Sequence, residues 1–326
     1  VGTDLHFTIL HKEKNGKIEG DGAVLLPPRF YPFAKSLLQD VAIILTYDKD
    51  ENKISVVQGA DISASFNCVP PSEYPPIPAF NNEGYRLPAK DLKRALNLVT
   101  FSASEQAQHR TLTGVLMNVA GDKLELAAAD GFRLSVASLT LPDYSELQDG
   151  FSAIIPAASL AELSRVIEDN HDVLMRIDGK EAILRTDNTL LKCSVIDGEF
   201  PDYKRIIPSD SPQTTITVDR KRLIDALDRA RIFARDILGI VNLEKAGTML
   251  TTGADSYSTK NGKGNTTLVI NTTGPDIKIS FNVNYLLDVL SVLHGDDVTI
   301  EFNTANHPCT IREDGYVHVL MPMSQT

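Results

Sequence analysis

The sequence predicts an α+β protein made of three repeats, each placing helices on one face of antiparallel sheets. An acidic turn ahead of an alternating run recurs at Asp4, Asp130 and Asp255, which lie 126 and 125 positions apart. In phase with it, Pro27, Pro156 and Asn282 each precede a stretch with helical apolar spacing. Each stretch leads into paired strand patterns: VAIILTY with KISVVQG, DVLMRID with EAILRTD, and DVTIEFN with CTIRED. A period this long marks duplicated domains rather than a stack of short solenoid repeats.

The expected domains are 1–82, 83–210 and 211–326. In the second, Pro88 and Ala89 open a helix with Leu92, Ala95, Leu96 and Val99 at helical spacing. The strand patterns TGVLMNVA, KLELAAAD and GFRLSVASL follow. A second helix carries Leu160, Leu163 and Ile167 on one face, and VLMRI, AILRT and LLKCSVI complete the unit. The third repeat runs in the same order from the helix Arg220 to Phe233 to the closing strand YVHVLMPM. Asn15-Gly16, Asp178-Gly179 and Asn261-Gly262 suit hairpin turns. The first repeat is incomplete, because its acidic marker falls at position 4 while Asp130 lies well inside its own repeat. One helix with its flanking strands, roughly 40 residues, is therefore expected to be absent from this unit.

Between the last two repeats runs DGEFPDYKRIIP, Asp197 to Pro208. Asp197-Gly198 is a turn dipeptide, and Pro201 cannot donate to a sheet ladder, so the chain leaves the sheet here. Phe200, Tyr203, Ile206 and Ile207 then need cover, which predicts a linker lying beside an apolar groove.

Composition bounds the function. The chain has 326 residues, 42% of them hydrophobic and 23% charged, which fits two or three globular domains. Its formal charge of −11 excludes a surface that grips nucleic acid everywhere, while leaving room for a local basic stripe. Three widely spaced cysteines point to a reduced, cytoplasmic protein, and seven scattered histidines offer no metal site. No apolar run reaches membrane-span length. No GxSxG, HExxH or complete phosphate loop is present, since Asn261-Gly262-Lys263-Gly264 lacks the required spacing. Neither catalysis nor a cofactor is expected.

Four strings together carry a resemblance: DGEFPDYKRIIP, ADGFRL, FNVNYLLDVL and the terminal VLMPM. In this order, on a threefold repeat, the chain resembles the bacterial DNA polymerase III beta subunits, the sliding clamps, over essentially its whole length. The resemblance implies three sliding-clamp (processivity-fold) domains and a ring-forming, head-to-tail homodimer. Helices would line a hole that holds double-stranded DNA without reading its sequence. The implied partners are replicative and repair DNA polymerases and a clamp loader. A monomeric clamp-like adaptor that binds peptides without encircling DNA is the alternative.

Residue roles follow from the resemblance. A sliding ring must meet phosphates loosely with positive charge. That part is expected of Lys90, Lys93, Arg94, Arg220, Lys221, Arg229, Arg231 and Arg235, with Arg165, Arg29 and Lys35 in support. Gln106, His109 and Arg110 match further DNA-facing positions, although aromatic residues common beside them are replaced by Arg110 and Thr111. The helix from Val283 to Leu293 carries no Lys or Arg, so the lining would be uneven. A peptide-binding groove is implied at Leu112, Ala129, Gly131, Phe132, Arg133, Leu134, Pro201, Arg205 and Ile206, and at Val319, Met321, Pro322 and Met323. Asn282 and Tyr285 would border it. Phe132 and Ala129 stand where the family commonly has His and Thr. Ring closure would join Leu38 and Phe66 of one subunit to Ile232 and an exposed Phe233 of the other.

Overall fold

The computed structural model describes residues 2–3, 7–11, 16–20, 22–70, 72, 84–141, 150–168, 172–234, 239–255 and 262–323. The chain divides into two compact units, Glu13–Asn81 and a larger one formed by Val1–Lys12 with Asn82–Thr326. The strands Gly2–Thr3 and Phe7–His11, expected in the first domain, thus belong to the larger unit, where Phe7–His11 pairs with Thr189–Ser194.

In the smaller unit, helix α1 (Phe30–Lys35) precedes the antiparallel strands Ile43–Asp48, Lys53–Gln58 and Ile62–Asn67. The helix begins three residues beyond Pro27. Pro28 disfavours helical backbone at Pro27, whose carbonyl instead accepts from Phe30 N in a turn. Among the described residues of this unit, Ile54, Val56 and Gln58 are buried. The Gln58 amide fastens the loop after α1: Oε1 accepts from Leu38 N at 2.8 Å, and Nε2 donates to the carbonyls of Leu38 and Val41 at 2.9 Å each. Phe66 packs on Phe30 and Phe33, with ring centroids 5.5 and 5.3 Å away.

The larger unit repeats one order of elements. The strand Tyr85–Leu87 leads into α2 (Ala89–Val99), the meander Gly114–Ala120, Lys123–Ala129 and Arg133–Thr140, then the strand Ser152–Pro156. Helix α3 (Ala157–Val166) follows with the strands Val173–Asp178, Glu181–Arg185 and Thr189–Ser194. The expected turn at Asp178-Gly179 joins two of these, with Gly179 at φ +59°. The order then recurs. The strand Thr214–Asp219 leads into α4 (Arg220–Ala234) and the strands Ile240–Ala246, Met249–Asp255, Lys263–Val269, Asn271–Thr273 and Ile277–Asn282. After α5 (Val283–Val292) come Asp297–Phe302, Cys309–Glu313 and Tyr316–Leu320. Asn15 and Asn261, each the first residue of an expected hairpin turn, lie outside the described residues, as does Asp4.

Capping and amphipathic spacing fix the helices. Asp219 Oδ1 accepts from Arg222 N at 2.8 Å ahead of α4, and Asn282 Oδ1 accepts from Asn284 N at 2.9 Å ahead of α5. Leu92, Ala95, Leu96 and Val99 of α2 and Leu223, Leu227 and Ala230 of α4 are all buried in one core. Fully burying each Leu contributes on the order of 2 kcal/mol. Asp255, expected in an acidic turn, closes the strand Met249–Asp255. Phe233 is half-buried against the core rather than exposed. Its ring lies over Gly264, where an added Cβ would meet Phe233 Cε2 at 2.2 Å, so the neighbouring strand makes room for the aromatic.

Two repeats of the larger unit share one sheet. Arg133–Thr140 pairs with Tyr316–Leu320, which places Leu320 opposite Arg133, Val319 opposite Leu134 and His318 opposite Ser135. That antiparallel seam positions the candidate site.

Candidate functional site

Three segments converge at the seam. The first is the turn between Lys123–Ala129 and Arg133–Thr140. Asp130 Oδ1 accepts from Phe132 N at 2.9 Å and Arg133 N at 3.0 Å, an Asx-type turn. Gly131 sits at φ +91°, a left-handed conformation that glycine adopts without steric cost. The turn leaves Phe132 half exposed and folds the Arg133 side chain inward, to 10% exposure.

The second segment is α5. Arg133 Nε donates to Asp130 Oδ2 at 2.9 Å and Nη1 to Asp288 Oδ2 at 2.5 Å. The guanidinium carbon lies 4.4 Å from the Tyr285 ring centroid, a cation–π contact, and Phe132 stacks on Tyr285 at 6.2 Å and 28°. Burial and the Asp130 carboxylate raise the Tyr285 hydroxyl pKa, so it stays protonated near neutral pH.

The third segment is the C-terminal strand end. Met321 N donates to the Phe132 carbonyl and Met323 N to the Ser280 carbonyl, both at 2.8 Å. Met321 is 38% exposed, and Pro322 and Met323 are half-buried. Phe132, Tyr285 and Met321 are thus brought to one lip, while Leu134 and Val319 lie beneath in a small apolar cluster with Ala127, Val136 and Tyr203. Ala129 borders this cluster.

The crossing segment packs on the same cluster. Tyr203 is buried in it, with Phe200 and Ile207 half-buried alongside. The Tyr203 hydroxyl donates to the Glu125 carboxylate, and burial together with that bond raises its pKa. Pro201, Arg205 and Ile206 remain exposed. Arg205 pairs with Asp202 at 2.8 Å on its own segment. Leu112 is half-buried, and its carbonyl accepts from Ser104 N. Asn282 serves as the cap of α5.

The candidate DNA-facing residues are unequal. Lys90, Lys221, Gln106, His109 and Arg110 are exposed. Arg229 is exposed, with Nε 3.3 Å from Thr266 Oγ1, and Arg231 pairs with Asp228 at 2.9 Å. Arg94 lies 3.5 Å from Glu313, Arg165 pairs with Glu162, and Lys35 lies over the Tyr31 ring. Arg29 precedes α1. Lys93 Nζ donates to the Ile167 carbonyl at 3.2 Å, tying α2 to the end of α3. Arg220 departs from the expected role: Nε donates to the Gly295 carbonyl at 2.7 Å and Nη1 to the Leu290 carbonyl at 2.9 Å, so it satisfies the C-terminal end of α5. Arg235 lies outside the described residues. A cleft of about 460 Å³ beside α2 sets Arg94 and Lys123 against Asp91 and Asp314, a balanced lining with no net attraction for an anion.

On the face of the two paired strands opposite Leu134 and Val319, the seam buries a polar cluster. Ser135 Oγ lies 2.8 Å from Ser102 Oγ, 2.9 Å from His318 Nδ1 and 3.0 Å from the Tyr316 hydroxyl. Burial, reinforced by the Arg133 charge, pushes the His318 pKa down to about 3, so the imidazole is neutral. The pairing of Asp130 with Arg133, together with Asp288, Phe101 and this cluster, goes beyond the sequence reading. Asp288 was accessible to it, because it stands three residues after Tyr285 on the same helical face.

No group of three or more His, Cys, Asp and Glu residues is placed to hold a metal among the described residues. Among the same residues no helix is long and apolar enough to cross a membrane.

Comparison with known proteins points to one family and one fold. Residues 86–202 match the family model for the central domain of the DNA polymerase III beta subunit, and residues 204–324 match that for its C-terminal domain. The beta sliding clamp of Haemophilus influenzae is 27% identical over 99% of this chain and 87% of its own length. That of Streptococcus pneumoniae is 31% identical over 93% of this chain and 80% of its own. The crystal structure of the Streptococcus pneumoniae DNA polymerase III beta chain superposes with a TM-score of 0.84 at 28% identity, covering 99% of this chain and 88% of that one. The chain belongs to the DNA polymerase III beta subunit family.

Proposed function

We propose that this chain is a processivity factor, a non-catalytic subunit that keeps a DNA polymerase on its template. Family membership over most of the chain carries the reading. In its full form, three repeats bounded near 82 and 210 close as a cytoplasmic head-to-tail homodimer around duplex DNA, opened by a clamp loader. Leu38 and Ile232, 60% and 65% exposed, supply apolar surface for that closure. Lys90, Lys221, Arg229 and Arg110 are the exposed cations best placed to meet phosphates without reading bases.

Client proteins dock at the seam lip. Phe132, Tyr285 and Met321 offer a short peptide apolar anchoring surface with polar edges, the arrangement by which buried anchors dominate such binding. Met side chains adapt to anchors of different shape.

The test is product length. With clamp loader and ATP on a primed circular template, adding the chain should lengthen the products made by its cognate polymerase in a single binding event. Unchanged lengths at saturating chain would refute the proposal. In a second experiment, Lys221→Glu combined with Arg229→Glu should weaken duplex DNA binding mainly at low salt, lowering the slope of log affinity against log salt by about 2. Equal slopes would show that these two cations are simply solvated.

A further inference from the structure

Phe101 belongs to none of the segments that form the lip. It lies in the short 3-10 turn Thr100–Ser102 at the end of α2, half-buried against the core. Its ring centroid is 5.3 Å from the Arg133 guanidinium carbon and 5.8 Å from the His318 ring. Arg133 is therefore held by four groups: the Asp130 and Asp288 carboxylates and the Tyr285 and Phe101 rings. Three of these belong to the lip's own turn or to α5. Phe101 alone comes from the turn that follows α2.

From this arrangement we infer that Phe101 is a positioning residue for the docking lip, acting through Arg133. An aromatic face attracts a guanidinium where an aliphatic side chain of similar size only fills space. The attraction keeps Arg133 directed at Asp288 and the Tyr285 ring, and Tyr285 in turn stacks on Phe132. Without it, the long Arg133 side chain regains rotamer freedom, and the lip must be ordered each time a peptide binds. Phe101 shapes the groove without touching the ligand.

This inference rests on the docking reading above, and the experiment separates the two. The probe is a short fluorescein-labelled peptide from the C-terminus of the cognate replicative polymerase, titrated by anisotropy against the full chain. Phe101→Leu should weaken binding about five- to tenfold, the range expected for one partly desolvated cation–π contact. Phe101→Tyr, which keeps the ring, should restore affinity to within about twofold of wild type. In an Arg133→Met background, Phe101→Leu should change affinity by less than about twofold, because the route of action has been removed. Thermal melts of each variant report folding separately. Wild-type affinity in Phe101→Leu, failure of Tyr to rescue, or a full loss persisting in the Arg133→Met background would each overturn the inference while leaving the docking reading intact. A wild-type chain that does not bind the peptide would overturn both.

Discussion

Between pH 7 and pH 5 the folded chain is expected to lose about 2 kcal/mol of stability through His318 alone. The imidazole is fully buried, with Nδ1 against Ser135 Oγ, the Tyr316 hydroxyl nearby, the Phe101 ring at its side and the Arg133 charge close enough to oppose a second cation. Among the described residues Nε2 has no hydrogen-bond partner, so a proton placed there would be an unpaired buried charge. In the unfolded chain the same imidazole titrates near 6.5, whereas in the folded chain it titrates at about 3. A folded pKa depressed below the unfolded value means that the unfolded state takes up the proton first as pH falls. The contribution is complete above about pH 6.5 and is lost through the window down to about pH 3, at about 1.4 kcal/mol per pH unit.

His318→Gln removes the titration while leaving an amide able to bond Ser135. Urea unfolding of both proteins at pH 7 and pH 5 gives the comparison. Other titrating groups contribute equally to both, so wild type should lose about 2 kcal/mol more than the variant. Parallel pH profiles would show that His318 is not buried in neutral form. Any fixed cost of the substitution cancels in the difference.

The helices were legible because their apolar residues repeat at 3.6-residue spacing: Leu92, Ala95, Leu96 and Val99 in α2 and Leu223, Leu227 and Ala230 in α4 all enter the core. Strands such as Lys123–Ala129 and Asp297–Phe302 were legible from alternation. Roles created by distant sequence were not. Arg220 looks like one more cation on a solvated helix face, and only the fold brings it to carbonyls 70 and 75 residues away. Phe233 looks exposed until Gly264 on a neighbouring strand receives its ring. The strands Met249–Asp255 and Lys263–Val269 are rich in Thr and Gly, and they follow from ladder pairing rather than from a clear apolar pattern. At the site, motif strings led to Phe132, Arg133, Tyr285 and Met321, which the fold gathers into one lip. The same strings gave no hint of Phe101 or the hydroxyl–imidazole cluster, and although Asp288 stands in one of them, its pairing with Arg133 arises only from contacts across the seam.

Replacing Met321 and Met323 together by Ala should weaken binding of the polymerase peptide by about thirtyfold or more. Both residues are fastened by their backbone, Met321 N to the Phe132 carbonyl and Met323 N to the Ser280 carbonyl, and neither bond requires a side chain. The strand end therefore keeps its course in the variant, and the loss reports the missing side chains. Each Met is only partly covered in the free chain, so truncation costs limited folding stability. A docked apolar anchor would complete that burial, and losing contact with each thioether side chain costs on the order of 1 kcal/mol or more. Two such losses correspond to at least about thirtyfold in affinity, a fall in the dissociation constant's free energy near 2 kcal/mol. Calorimetry on the full chain gives the comparison, with the His318 region as an internal control for folding. Unchanged affinity would move client docking away from this lip. A loss confined to Met321, with Met323→Ala neutral, would narrow the anchor to the residue whose amide holds Phe132, consistent with an apolar pocket centred on the Phe132–Tyr285 stack.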